Sequence, residues 1–315
     1  MPFAFVFPGQ GSQSVGMLAG LSGLDPVVRG TFDEASAVLG YDLWQLAQEG
    51  PAERLNQTEC AQPALLAAGI ATLRLWSKLG GGEPTAVSGH SLGEFTALVA
   101  AGALDFSTAV DIVKFRGQVM QQAVPAGAGL MAAILGLADA DVEAACAEAS
   151  SQGGVVEAVN FNSVGQVVIA GETAAVQRAM ELAKAKGAKR ALTLPVSVPS
   201  HTSLMKPAAE RLGKRLETVQ FRAPRGRYIS AVDAAVHGDP TELRPLLIRQ
   251  LASPVRWQDT VRALAGTGIT HLIECGPGKV LTNLNKRVDG VTGVAFAALE
   301  DAATLDAALA ATKGS

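Results

Sequence analysis

Gly89-His90-Ser91-Leu92-Gly93 is the stretch on which the reading of the fold turns. A short β-prone run, Thr85-Ala86-Val87-Ser88, precedes it, and an apolar run, Phe95-Thr96-Ala97-Leu98-Val99-Ala100-Ala101, follows. That order predicts strand, tight turn and helix with a serine at the apex, the pattern of a nucleophile elbow. A strand turning sharply into a helix leaves no room for a Cβ beside the apex, which accounts for both glycines. The hydroxyl would stand near a helix N-terminus, where free N–H groups stabilise negative charge. The plain alternative is an ordinary turn serine.

Upstream, Phe3-Ala4-Phe5-Val6-Phe7 reads as a first strand running into Pro8-Gly9-Gln10-Gly11-Ser12-Gln13. A dinucleotide-binding G-x-G-x-x-G would need glycine where Ser14 stands, so that reading is weak. A Gly-rich turn after a first strand can instead offer N–H groups to a developing anion. The N-terminal run has no basic lead and breaks at Pro8-Gly9, so it is not read as a signal peptide. No apolar run reaches the roughly 18 residues that a membrane span needs.

Between about Gly129 and Leu194 the rhythm changes. Leu130–Leu135 reads as a strand, Asp139–Ser150 as a helix, Val155–Phe161 and Gln166–Ala170 as strands, Thr173–Lys186 as a helix and Arg190–Leu194 as a strand. The order β-α-β-β-α-β predicts a ferredoxin-like unit. It would form a small lobe, residues 127–196, inserted in a large α/β lobe of residues 1–126 and 197–315. The crossings would be Pro125-Ala126-Gly127-Ala128-Gly129 and Pro195 to Pro199. In the large lobe, Ser203–Val219, Thr241–Leu251 and Pro254–Ala265 read as helices and Ile269–Glu274 as a strand. Strands separated by helices predict a mostly parallel sheet covered on both faces, α/β-hydrolase-like at its elbow.

Of the 315 residues, 17% are charged and 48% hydrophobic, which places the chain among globular proteins. A net charge of −3 gives no basic field for nucleic acid. Cys60, Cys146 and Cys275 are scattered and odd in number, as expected of reduced thiols in a cytoplasmic protein without disulfides or zinc. No metal or other cofactor is implied, and a monomer is expected.

A serine needs a base. Of the four histidines, His90 lies inside the elbow and reads as structural, His237 as solvated in a polar turn, and His271 as a core residue on a strand. His201 follows a strand and precedes a helix, where α/β sheets place their chemistry, and is the candidate base; otherwise it is a capping residue. Its orienting partner stays open between Glu210, Asp233 and a backbone carbonyl. Arg116, on the helical pattern Ser107–Gln122, shares a face with Ile112, Val113, Val119 and Met120. A buried arginine needs an anion. That anion is either a carboxylate of the protein or one on the substrate.

Phe7-Pro8-Gly9-Gln10-Gly11-Ser12-Gln13, Gly89-His90-Ser91-Leu92-Gly93-Glu94, Arg116-Gly117, Asn160-Phe161-Asn162-Ser163, Val196 to His201 and Glu274-Cys275-Gly276-Pro277-Gly278 occur in this order. Together, over about residues 3 to 290, they resemble the malonyl-CoA:acyl carrier protein transacylases of bacterial fatty acid synthesis. The resemblance implies Ser91 as acylated nucleophile and His201 as base, held by the main-chain carbonyl of Gln250. It implies the N–H groups of Gln10 and Leu92 as oxyanion hole, and Arg116 as the partner of the malonate carboxylate. If only the carbonyl of Gln250 acts, loss of its side chain is expected to be mild. Phe95 stands where relatives commonly carry tyrosine, and Val164 where they carry proline; neither bears on these roles. The segment Val198-Pro199-Ser200-His201 lacks the aromatic signature of malonyl choice in polyketide acyltransferases, so specificity rests on Arg116.

The expected partners are malonyl-CoA and an acyl carrier protein. Carrier proteins are acidic and CoA carries phosphates, so docking calls for a local basic patch. Lys189-Arg190 and Lys286-Arg287 are expected to face each other across the entrance, one pair from each lobe. The competing readings are a freestanding acyltransferase of a polyketide pathway, a serine thioesterase or other hydrolase on the same elbow, and a non-catalytic docking module.

Overall fold

The computed structural model describes residues 1–125, 127–196 and 198–313. Ala126 and Ser197, on which the predicted crossings and lobe boundaries fall, lie outside the described residues, as do residues 314–315. The strands are β1 (Phe3–Phe7), β2 (Ala86–Gly89), β3 (Gly129–Leu135), β4 (Val156–Ser163), β5 (Gln166–Glu172), β6 (Arg190–Thr193), β7 (Arg227–Ile229), β8 (Val236–His237), β9 (His271–Glu274) and β10 (Ala295–Ala298).

One sheet has the order β10-β9-β1-β2-β7-β8. It is parallel from β10 to β7, and β8 pairs antiparallel at its edge. The sequence of β1 explains its central place. All five residues are buried. Phe3, Phe5 and Phe7 enter the core shared with the long helix Thr58–Lys78, while Ala4 and Val6 enter the core on the other face. An apolar strand with no polar face requires cover on both sides, which helical crossovers between parallel strands provide.

The second sheet is antiparallel, with the order β4-β5-β3-β6. Ala132, Ile134, Val167 and Ile169 pack on one face beneath the helices Asp139–Ser151 and Thr173–Ala185. Met131, Ala133, Val159 and Val168 line the other. The N–H of Phe161 donates to the Val255 carbonyl at 2.9 Å, and that of Val255 to the Val159 carbonyl at 2.8 Å, so β4 is tied to the body of the first sheet.

This tie corrects one expectation. The helix predicted from Pro254 starts at Trp257, because Val255 is engaged as a bridge to β4. The helix predicted over 203–219 opens as a 3₁₀ turn, Ser203–Met205, and its α-helical part is Lys206–Leu216. β7, β8 and β10 were not anticipated: they are two to four residues long, too short to show a period. Among the described residues no helix is long and apolar enough to cross a membrane.

Candidate active site

β2 ends at Gly89 and the next helix begins at Gly93. Ser91 between them holds a left-handed backbone, φ 51°. A Cβ on Gly89 would overlap the main chain of Gly93 and Glu94, and one on Gly93 the carbonyl of Phe7. Both glycines are therefore steric requirements of the turn. The left-handed serine is strained for a side chain with a Cβ, and strain of this kind gathers at functional sites.

His201 is also left-handed, φ 68°, and only 3% exposed. Its N–H donates to the Leu251 carbonyl at 3.1 Å. The ring Nδ1 lies 2.8 Å from the Gln250 carbonyl oxygen, and Nε2 lies 2.8 Å from Ser91 Oγ. A carbonyl can only accept, so Nδ1 carries the proton and Nε2 is left to accept from the serine hydroxyl. Burial, and then the charge of Arg116, push the His201 pKa down to about 3, so the ring is neutral near pH 7. The two carboxylates considered as orienters are elsewhere. Asp233 pairs with His237 and Arg249, and Glu210 is exposed on its helix.

Arg116 lies on the helix Phe106–Gln122, capped by the Asp105 side chain. Its neighbour explains its depth. A Cβ on Gly117 would come within 2.6 Å of the Glu59 Cα, so only glycine lets this helix close on the start of helix Thr58–Lys78. Arg116 is 1% exposed, and its Nη2 donates to Ser91 Oγ at 3.3 Å and to Gln250 Oε1 at 3.0 Å. Among the described residues it forms no ion pair, which removes the reading of an internal salt bridge, and its buried Nε has no partner. Burial lowers its pKa to about 10, which leaves it charged. Phe95, read from the sequence as unrelated to any role, lies beneath it with the ring centroid 5.6 Å from the guanidinium carbon.

Ser91, His201 and Arg116 line a cavity of about 80 Å³ with Gln10, Leu92, Met120, Met131, Asn160 and Ser200. It has room for a few water-sized volumes of about 30 Å³ each. The N–H groups of Gln10 and Leu92 have no hydrogen-bond acceptor among the described residues. The cavity adjoins a groove of about 300 Å³ between the two sheets, lined in part by Asn160, Asn162, Gln166, Leu194 and Leu284. His90 closes one wall, its Nε2 2.9 Å from Asn162 Oδ1. It joins the sheets, as expected of a structural histidine. His237 is held by Asp233 and Glu242 on the surface side, and His271 sits half-buried on β9 beside Thr270.

The basic pairs divide. Gln166 and Arg190 flank Leu135 in the register of β5, β3 and β6, and Arg287 Nη1 reaches Gln166 Oε1 at 3.5 Å. Arg190 and Arg287 thus stand at the groove's rim, with Lys286 exposed beside Arg287. Alternation along the strand turns Lys189 to the other face, over Gly136.

Two groups escaped the sequence reading. Glu94 is 0% exposed and accepts from Tyr228 Oη at 2.8 Å, Ser230 Oγ at 3.0 Å and the Ala231 N–H at 2.5 Å. Burial raises its pKa against these bonds. A glutamate in the first turn of an otherwise apolar helix carried the same signal that singled out Arg116. The Gln250 side chain was passed over because its carbonyl sufficed. Its Nε2 donates to the Ser91 carbonyl at 2.9 Å while Oε1 accepts from Arg116. The side chain thus has contacts of its own beside the carbonyl on which the expectation of a mild loss rests.

The chain matches the family described as "Acyl transferase domain" over residues 4–299. It is 55% identical over 307 residues to a malonyl CoA-acyl carrier protein transacylase of Salmonella typhimurium, covering 98% of each chain. The solved acyl carrier protein S-malonyltransferase of Vibrio cholerae superposes with a TM-score of 0.94 at 56% identity, over 98% of this chain and 100% of that one. A malonyl-transacylase solved in complex with its type II polyketide synthase acyl carrier protein superposes with a TM-score of 0.96 at 51% identity, over 99% of this chain and 100% of that one. The chain belongs to the acyl transferase family and, within it, to the malonyl CoA-acyl carrier protein transacylases.

Proposed function

We propose that this chain moves a malonyl group from malonyl-CoA to the phosphopantetheine thiol of an acyl carrier protein, through a malonyl ester on Ser91. One observation carries the reading: Ser91 Oγ touches both a neutral imidazole, at 2.8 Å, and a buried guanidinium with no counter-ion among the described residues, at 3.3 Å. The turn Gly89–Gly93 then acts as a nucleophile elbow. His201 Nε2 takes the serine proton as Oγ attacks the thioester carbonyl. The N–H groups of Gln10 and Leu92 receive the oxyanion. The tetrahedral adduct collapses, the C–S bond breaks, and His201 returns the proton to the CoA thiolate. The carrier's thiol gives its proton to His201 and attacks the ester, and Ser91 leaves as the alcohol.

Arg116 binds the free carboxylate of the acyl group by a charge-assisted pair. The small cavity supports a short acyl group over a long one. We read residues 1–126 and 197–315 as the catalytic lobe and 127–196 as an inserted ferredoxin-like lobe; the β4-β5-β3-β6 order and its separate cores support this division. The pantetheine arm would lie in the groove between the sheets, with Arg190, Lys286 and Arg287 at its rim facing the acidic carrier. Three buried free thiols support a reducing, cytoplasmic setting.

Service to a polyketide carrier is a second reading, favoured by the neighbour solved with such a carrier protein. The test is incubation with labelled malonyl-CoA, mapping of the acylated peptide, then addition of a fatty-acid or a polyketide carrier. Label on Ser91 that a carrier removes is the expected result. Label lost to water at the same rate without carrier would make the chain a hydrolase.

A further inference from the structure

Arg116 and Glu94 bring a guanidinium and a carboxyl group, 1% and 0% exposed, into the same buried region, yet they form no ion pair. Glu94 acts on Arg116 through space, favouring its charged form. A direct pair would give the guanidinium a counter-ion and favour ionised Glu94, yet the carboxyl group is taken up by Tyr228, Ser230 and Ala231 and the guanidinium by Gln250. Gln250, itself 1% exposed, meets the surroundings of both: the Ser91 carbonyl that accepts from its Nε2 also accepts from the Glu94 N–H at 3.1 Å. Gln250 Oε1 accepts from Arg116 Nη2 at 3.0 Å and Gln250 Nε2 donates to the Ser91 carbonyl at 2.9 Å. The same amide is among the groups that favour the ionised form of Glu94. One neutral group therefore touches the arginine, the serine turn and the carboxylate's surroundings.

We propose that the Gln250 side chain is a positioning residue, a neutral spacer that keeps Arg116 out of an ion pair with Glu94 and leaves the guanidinium free to select carboxylated acyl groups. It acts through Arg116, apart from what its main-chain carbonyl does for His201. An amide suits the place because its oxygen satisfies a guanidinium N–H without cancelling the charge. A carboxylate there would cancel it. The proposal deepens the malonyl reading given above and rests on it.

Gln250→Glu places that carboxylate against Arg116 with little change of shape. The expected result is a loss of at least about 100-fold in kcat/KM for malonyl-CoA, the scale of a captured buried charge. Slow transfer from acetyl-CoA should change far less, so the malonyl-to-acetyl ratio collapses. In an Arg116→Ala background the same substitution should leave the ratio where Arg116→Ala alone puts it. Labelling of Ser91 by an uncharged serine-directed reagent reads the cost of losing the bond from Nε2 to the Ser91 carbonyl, and the malonyl loss should exceed that cost by at least about tenfold, which separates the effect from misfolding and from His201. Gln250→Met gives a second probe. It should also lower the ratio, because Arg116 can then relax toward Glu94, and adding Glu94→Gln should restore part of it.

A malonyl-to-acetyl ratio unchanged in Gln250→Glu overturns the proposal, as do equal losses with both substrates and the reagent, which would make the side chain merely structural. Protection of Ser91 from the reagent by free malonate reads carboxylate capture without any transfer. Protection lost in Gln250→Glu supports the spacer even if wild-type transfer is absent, in which case only the functional reading falls.

Discussion

Ser91 and His201 reach the cavity from turns with left-handed backbone, φ 51° and 68°, whereas Asn160 reaches it, and Asn162 the adjoining groove, from the strand β4. The first pair belongs to the body built on the six-stranded sheet and carries the groups that react. The second belongs to the four-stranded sheet and offers neutral amides. Each asparagine alternates with residues that face the other way, and β4 keeps them in place by its ladder to β5, with register shifts at Ala158/Asn160 and Phe161/Ser163. The contrast is between two ways of placing a side chain. A strained turn holds one group in one direction, at a cost met by the surrounding core. A strand presents a row of groups to whatever lies in the groove.

Loss of a turn group should therefore be far worse than loss of a strand amide. Ser91→Ala should abolish the malonyl-enzyme altogether, since no other side chain supplies the covalent step. Intact mass after malonyl-CoA treatment checks this, and a malonylated variant would end the assignment. Arg116→Ala should lower malonyl kcat/KM by about two to four decades, corresponding to roughly 3–5 kcal/mol for an unpaired buried charge. Acetyl transfer should suffer much less, and equal losses would make Arg116 a structural residue.

His201→Ala should slow transfer at least about 100-fold. Here pH adds a second reading. The base works as the neutral ring, and its pKa is lowered from the ordinary 6.5 to about 3, so the neutral form persists as pH falls. Labelling of Ser91 by an uncharged reagent should stay flat from pH 8 down past about pH 6, below the ordinary histidine range. An acid limb centred near 6.5 would show that the site is wetter than the geometry indicates.

Arg190→Glu with Arg287→Glu should raise KM for the carrier protein several-fold and flatten its salt dependence. A KM for carrier unchanged at low ionic strength would remove the rim patch. The smallest effect is expected from Asn162→Ala, which frees His90 Nε2 and should cost about 0.5–1.5 kcal/mol of stability. Ser91 acylation should stay within a few-fold of wild type. If Asn162→Ala were as harmful as His201→Ala, the division of labour between the two sheets would be wrong.

Sequence alone was informative where a local rule leaves few choices. The glycines around Ser91 suit a tight strand-to-helix turn, and the apex serine was legible from them together with the strand and helix patterns on either side. Arg116 was legible because its helical face is otherwise apolar, and the β-α-β-β-α-β order of 129–194 was legible because its first five elements, of seven to thirteen residues, are long enough to show their period. Gln250, Gln10 and Leu92 came only through family resemblance, since main-chain donors and acceptors leave no trace in side-chain chemistry.

Tertiary structure decided what depends on elements far apart in the chain meeting. It brought His201 to Ser91 across 110 positions and removed Glu210 and Asp233 as its orienters. It showed that Arg116 has no carboxylate of its own among the described residues, which no pattern of spacing could reveal. It turned Lys189 away from the groove while keeping Arg190 toward it. It also gave the Gln250 side chain its contacts with Arg116 and Ser91, 134 and 159 positions away. The physical reason is common to these cases. Local sequence fixes backbone turns and faces through sterics and periodicity, but the partner of a buried charge or hydrogen bond is chosen by packing between distant segments.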